Sequence, residues 1–135
     1  MAVIEWSDAI KMGVPSIDAE HRQLIALTND FLTAAEEEAL MPQLAAILGE
    51  LIAHTHSHFR AEERLLDQCG YPHLAAHQAE HARLLVEAQT LHDRFCRPEA
   101  DAKLTMETAH YLQRWLLDHI VASDKPCRPY LMRLG

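Results

Sequence analysis

Histidines and carboxylates at helical spacing constrain this chain more than any other feature of its sequence. One histidine lies in the first apolar segment, and the next two segments carry a His-x3-Glu pair and a His-x3-His pair. A His-x4-Asp pair closes the fourth segment. In chain order these residues are His21, His58, Glu62, His77, His81, His119 and Asp124. A spacing of four places two side chains on one face of an α-helix, so each such pair can point inward together.

Four stretches of the chain have the apolar periodicity of a helix, and strand alternation is not evident. They run over about residues 16–37, 42–70, 72–97 and 103–124. Short connections favour antiparallel neighbours, so the sequence predicts an all-α, up-down-up-down four-helix bundle, one domain over residues 1–135. Ser16 or Asp18 is expected to cap the first helix, and Gly70 to close the second. Residues 1–15 should form an arm packed through Trp6 and Val14, and a short tail helix is expected near residues 130–134.

In an antiparallel bundle, all the histidines and carboxylates of this pattern fall at the same end of the core. Buried imidazoles and carboxylates are costly unless they are paired or bound to metal. Without thiolates, they suit iron, manganese or zinc. Seven ligands exceed one tetrahedral zinc ion, so the pattern predicts two metals that share the carboxylates. Other histidines, among them His54 and His56, are expected at the surface or just outside the site.

The step of five residues from His119 to Asp124 predicts an irregular end to the fourth helix. In a regular α-helix this step turns the second side chain about 140° away from the first. Both residues can face one metal pair only if the last turn forms a π-type bulge or opens. Pro126 favours an opened end, because proline disfavours helical geometry in the residue before it.

Composition excludes several classes of function. The chain has 12 basic and 20 acidic residues and a formal charge of −8, which argues against nucleic acid or an anionic membrane as a partner. It has no run of about 18 apolar residues that could span a membrane. The N-terminus lacks the pattern of a signal peptide. Three scattered cysteines read as free thiols, so we expect a cytoplasmic protein.

The chain resembles the hemerythrin family, specifically the single-domain bacterial hemerythrins, over nearly its whole length. Besides the histidines and carboxylates, the resemblance rests on Trp6, Gly13-Val14, Ile17-Asp18, Phe59, Glu63, Gly70-Tyr71-Pro72, Trp115-Leu116, Ile120 and Lys125. It implies a four-helix bundle with a non-heme di-iron site that binds O2 reversibly. The chain departs from the family pattern at Pro126 and Cys127, which affects the packing of the tail.

The resemblance also implies a role for each residue of the pattern. One iron would be held by His77, His81 and His119, and the other by His21 and His58. Glu62 and Asp124 would bridge the two irons, together with a solvent-derived oxo or hydroxo group. One coordination position then stays open for O2 on the iron that has two histidines. The apolar pocket around it is expected to comprise Leu24, Phe59, Trp115, Leu116 and Ile120.

The expected function is non-enzymatic O2 binding for storage, delivery or sensing. The alternatives are a di-iron oxidase or peroxidase, a protein that handles nitric oxide, or a donor of iron for cluster repair. Bundle oxidases use Glu-x-x-His motifs from paired helices. The one such spacing here, Glu107 to His110, has no counterpart near the predicted site. The expected ligand is O2. An O2-using enzyme could be its partner, and sensing would require a separate output protein.

Overall fold

The computed structural model describes residues 3–133, and its four long helices form the predicted up-down-up-down bundle. Loops over residues 37–40, 69–73 and 96–101 join them. Helix α1 packs against α2 and α4, and α2 packs against α3. The helix bounds are α1 Pro15–Glu36, α2 Met41–Gln68, α3 Leu74–Phe95 and α4 Ala102–His119.

Helix α1 begins at Pro15, and the predicted capping role of Ser16 or Asp18 is wrong. Proline fits the first turn because its missing N–H would have no helical partner there. The carboxylate of Asp18 instead accepts the backbone N–H groups of Met12, at 2.8 Å, and Gly13, at 3.1 Å. Gly13 has a φ of 79°, which favours glycine. Asp18 therefore fastens the N-terminal arm to the bundle.

Helix α2 ends at the predicted glycine. Gly70 has a φ of 67°, in the left-handed region. Its N–H donates to the Asp67 carbonyl, and the Tyr71 N–H donates to the Leu66 carbonyl. These two bonds form a Schellman motif, which satisfies carbonyls that the helix end would otherwise leave free. The sharp stop turns the chain directly into the start of α3.

The periodic apolar residues of the four helices form the core. Leu24, Phe31, Leu48, Leu112 and Ile120 are typical of its members, each at most 1% exposed. As predicted for residues 3–15 of the arm, Trp6 packs against the main apolar cluster and Val14 against a smaller one near the tail. Residues 1 and 2, which the predicted arm and domain include, lie outside the described residues.

The end of α4 is irregular, as the spacing of His119 and Asp124 predicts. Residues Ile120–Asp124 form a π-helical turn, in which the Lys125 N–H donates to the Ile120 carbonyl. The opened end expected from Pro126 is wrong, because this bond closes the turn and a 3-10 turn over Lys125–Cys127 continues it. The tail helix α5, Arg128–Leu131, starts earlier than predicted. Leu134, the last residue of the predicted tail helix, lies outside the described residues.

Two further features of residues 3–133 concern membrane spans and free thiols. Across residues 3–133, each helix is too short or too polar to cross a bilayer. As expected, the three cysteines are free thiols, of which Cys127 is buried and Cys96 exposed.

Candidate metal centre

All seven residues of the sequence pattern converge at one end of the bundle. His21 comes from the second turn of α1, and His58 and Glu62 from the second half of α2. The two histidines of α3 lie in its first turns, His119 is the last residue of α4, and Asp124 ends the π turn. Each of the seven is at most 5% exposed. The four helices and the π turn therefore place a buried group of imidazoles and carboxylates at one end of the bundle.

These residues form two overlapping groups. Within each group, the ligand atoms all lie within 4.8 Å of one another. Three histidines belong to the first group and two to the second, and both carboxylates belong to both. The first group is Glu62, His77, His81, His119 and Asp124, and the second is His21, His58, Glu62 and Asp124. This overlap is the geometry of two adjacent cation positions with shared carboxylates.

Glu62 directs one oxygen toward each group. Its Oε1 lies 2.6 Å from the Nε2 of His77 and 3.4 Å from the Nε2 of His81. Its Oε2 lies 3.2 Å from the Nε2 of His58 and 3.9 Å from the Nε2 of His21. A carboxylate in this orientation can bind one metal through each oxygen.

Asp124 is divided between the two groups in the same way. Its Oδ1 lies 3.2 Å from the Nε2 of His77 and 3.0 Å from the Nε2 of His119. Its Oδ2 lies 3.2 Å from the Nε2 of His21. The π turn makes this possible, since five residues of π-helix bring Asp124 back toward the helix face that carries His119.

Many of the converging atoms have no hydrogen bond of normal geometry with any described residue. They are the Nε2 atoms of His21, His58, His81 and His119, Oε2 of Glu62, and both carboxylate oxygens of Asp124. An unsatisfied buried polar group costs about 1–3 kcal/mol. Seven such atoms around one space need a shared partner, and metal cations satisfy nitrogen and oxygen donors together. The donor set thus fits a pair of metal ions.

The pKa values of two histidines show that the centre favours positive charge. Burial alone would lower the pKa of His58 and of His77. The close carboxylates of Glu20 and Glu62 instead raise the pKa of His58 to about 9, and contacts with Asp124, Cys127 and Glu62 raise that of His77 to about 12. Protons thus occupy positions that metal cations would take, and metal binding must displace them.

The two carboxylates respond in the opposite direction. Burial and the charge of Asp124 would raise the pKa of Glu62, but the hydrogen bond with His77 and the close imidazoles of His58 and His81 outweigh them and lower it to about 2. Burial likewise opposes ionisation of Asp124, yet its neighbouring histidines hold the pKa of this carboxyl well below its usual range. Both carboxylates are therefore ionised at neutral pH and available to cations.

Three residues that sequence reasoning missed contact the outer nitrogens of the histidines. Glu20 from α1 pairs with the Nδ1 of His58. Glu63 from α2 lies 2.8 Å from the Nδ1 of His81. The third residue, Cys127, lies against His77. Partners of this kind fix the ring orientation and raise the basicity of a metal-binding histidine.

The five residues predicted to form an apolar pocket are buried in one cluster. These residues are Leu24, Phe59, Trp115, Leu116 and Ile120. The ring of Phe59 stacks on that of His81, with 3.7 Å between centroids and 3° between planes. Trp115 also lines a cleft of about 360 Å³ at the junction of α3 and α4, beside His119. His54 is half-buried and His56 exposed, as predicted.

A four-helix bundle that encloses five histidines and two shared carboxylates defines a cation-binding bundle protein. The sequence model described as "Hemerythrin HHE cation binding domain" matches residues 12–130. The chain belongs to the hemerythrin family, as its sequence motifs predict. It is accordingly a binding protein rather than an enzyme.

Curated relatives and solved structures agree with this assignment. The bacteriohemerythrin of Stenotrophomonas maltophilia is 31% identical over 125 residues, which cover 93% of this chain and 79% of the relative. That of Ralstonia nicotianae is 27% identical over 135 residues, which cover 100% of this chain and 93% of the relative. A crystal structure of wild-type hemerythrin superposes with a TM-score of 0.86 at 28% identity, covering 96% of this chain and 98% of the other.

Proposed function

We propose that this protein holds two non-heme iron ions and binds O2 reversibly. The observation that carries the proposal is the division of Glu62 and Asp124 between the two histidine groups. Each carboxylate directs one oxygen to each group. A single ion cannot use both sets of donors at once.

The two positions differ in the number of side chains that can bind them. His77, His81 and His119 would hold one iron, and His21 and His58 the other, with both carboxylates common to the two. The second iron would thus have one protein ligand fewer, which leaves room for an external ligand. Two iron ions held by these residues would supply the redox chemistry of reversible O2 binding. The proposed roles of all seven residues follow from this division.

The apolar residues around the histidines would keep water from the bound ligand. Leu24, Leu116 and Ile120 are each at most 2% exposed and belong to the main core cluster. Phe59 stacks on the ring of His81. Exclusion of water strengthens electrostatic interactions within a site and suppresses side reactions. In an O2 carrier it would slow the oxidation that ends reversible binding.

Anaerobic reduction followed by exposure to air tests the proposal directly. The iron-loaded, reduced protein should gain a ligand-to-iron charge-transfer band in air and lose it again under argon. A His21→Ala variant, which removes a ligand from the proposed open iron, should not form the reversible band. The exposed-surface variant His56→Ala is the matched control and should behave as the unmodified protein. Absence of any reversible band from protein that holds iron would contradict O2 carriage.

A second measurement separates a carrier from an oxidase. With a chemical reductant in excess, a carrier should consume O2 only at the slow rate at which its air-formed band decays. Sustained O2 consumption much faster than that decay would overturn the carrier assignment. Oxygen-electrode traces on the same protein batch supply the comparison.

A further inference from the structure

The thiol of Cys127 is buried beside a predicted metal ligand. Cys127 is 0% exposed and lies in the 3-10 turn that directly follows the π turn. Its Sγ is 4.0 Å from the Nδ1 of His77 and 3.4 Å from the Ser123 carbonyl oxygen. The side chain of His77 and the backbone of the π turn thus meet at this sulfur.

The directions of these hydrogen bonds follow from what each group can donate. The Nε2 of His77 faces Glu62, so a neutral ring that binds a metal there carries its proton on Nδ1. That N–H donates to the sulfur. The thiol S–H then donates to the Ser123 carbonyl, since a carbonyl only accepts. The sulfur connects the histidine to the backbone of the π turn.

This thiol differs from the outer partners of the other histidines. Glu20 and Glu63 are carboxylates with side chains 37% and 22% exposed, so water shares their charge. A carboxylate at the fully buried position 127 would add a third charge close to Glu62 and Asp124. Burying such a charge without its own cation is costly. A neutral thiol can accept the N–H of His77 without that cost.

We propose that Cys127 is a positioning residue for the metal centre. Its thiol holds the His77 ring through Nδ1 and ties it, through Ser123, to the π turn that presents Asp124. This inference rests on the proposed function only in that His77 and Asp124 bind metal. It gives the departure of this chain from the family pattern at position 127 a specific role.

Substitutions that separate hydrogen bonding from packing test the role of Cys127. Cys127→Val keeps an apolar side chain of similar size but removes the hydrogen bonds. Cys127→Ser is smaller but retains a donor and an acceptor, and Cys127→Ala is its matched control without them. Cys96→Ser alters an exposed thiol and controls for the loss of a cysteine as such.

Cobalt(II) alone serves as the metal probe, with affinity measured by competition with a chelator. The valine and alanine variants should bind it about tenfold or more weakly, as is typical when an outer partner of a ligand is lost. The serine variant should stay within a few-fold of the unmodified protein. In the cobalt-loaded protein, the shifted proton-NMR signal of the His77 Nδ1–H should exchange slowly with solvent. This exchange should become faster in the valine and alanine variants but not in serine.

The opposite order of cobalt affinities among the variants would overturn the inference. If valine binds cobalt as tightly as cysteine while serine is as weak as alanine, position 127 acts through packing alone. Circular dichroism of the metal-free variants checks folding, and if valine does not fold, the serine–alanine comparison alone decides. Failure of the unmodified protein to take up two cobalt ions would instead contradict the proposed function.

Discussion

Replacement of Glu62 by glutamine should destabilise the metal-free protein, because this carboxylate is the common partner of several histidines. Glu62 is 1% exposed, and its pKa is lowered from 4.5 to about 2 by the surrounding imidazoles. Glutamine preserves the size of the side chain but carries no charge. Protonated His58 and His77 would then lose their nearest shared anion.

The expected loss follows from the lowered pKa of Glu62. At about 1.36 kcal/mol for each pH unit, ionised Glu62 contributes about 3 kcal/mol to the free energy of unfolding at neutral pH. This is close to the cost of breaking other buried ion pairs, about 3–5 kcal/mol. For a domain of this size, it corresponds to a fall in Tm of about 10 °C.

The difference in unfolding free energy between the unmodified protein and Glu62→Gln should depend on pH in a defined direction. The folded pKa of Glu62 lies below its unfolded value, so its contribution is complete above pH 4.5 and is lost as the pH falls through 2. The folded pKa of His58 is raised to about 9, so its contribution is complete below pH 6.5 and is lost as the pH rises through 9. The stability difference should therefore be largest near neutral pH and shrink at both extremes.

Urea and thermal unfolding of the metal-free proteins, followed by circular dichroism, measure this difference. Glu63→Gln is the matched control, because Glu63 lies next in sequence but is partly exposed and pairs with the outer nitrogen of His81, Nδ1. Its loss should cost no more than about 1 kcal/mol. Equal stability of Glu62→Gln and the unmodified protein at neutral pH would refute the electrostatic account of the centre.

Three further outcomes are expected. Ile120→Thr places a hydroxyl at a fully buried position, so the absorption band formed in air should decay severalfold faster. Unchanged decay would mean that Ile120 does not exclude water. Burial and the hydrogen bond to Glu87 raise the pKa of Tyr111, so Glu87→Gln should lower the midpoint of its ultraviolet titration. In hydrogen exchange followed by mass spectrometry, removal of metal should speed exchange over residues 119–125 more than over residues 44–51, whereas equal changes would argue against a metal-fixed π turn.

Sequence periodicity predicted the fold and the meeting of the polar residues because both depend on helix geometry. Side chains four residues apart share a face whatever the rest of the protein does, which is why His58 with Glu62 and His77 with His81 could be paired in advance. The irregular end of α4 was also predictable, since the step from His119 to Asp124 cannot fit a regular helix. The π-helical form of this end could not be predicted, because the Lys125 N–H donates to the Ile120 carbonyl even though a proline follows.

The contacts outside the histidines could not be predicted in the same way. Glu20 and Glu63 are neighbours in sequence of His21 and Glu62, so they lie at the edge of the inward face, where a carboxylate ordinarily points to solvent. Each reaches a histidine on another helix, and that contact depends on how closely the helices approach. Cys127 has no periodic relation to His77, because a π turn and a 3-10 turn determine where it lies. Asp18 was misjudged for a similar reason, since its partners belong to the arm and not to its own helix.

The number of iron ions bound per chain tests the central claim most directly. Protein produced with iron available should contain close to two iron ions per chain and little zinc. Removal of the His77 and His81 rings together, by alanine substitution, should abolish this stoichiometry, because both belong to the three-histidine group. One iron per chain in the unmodified protein, or two irons retained in the double variant, would contradict two metals that share Glu62 and Asp124.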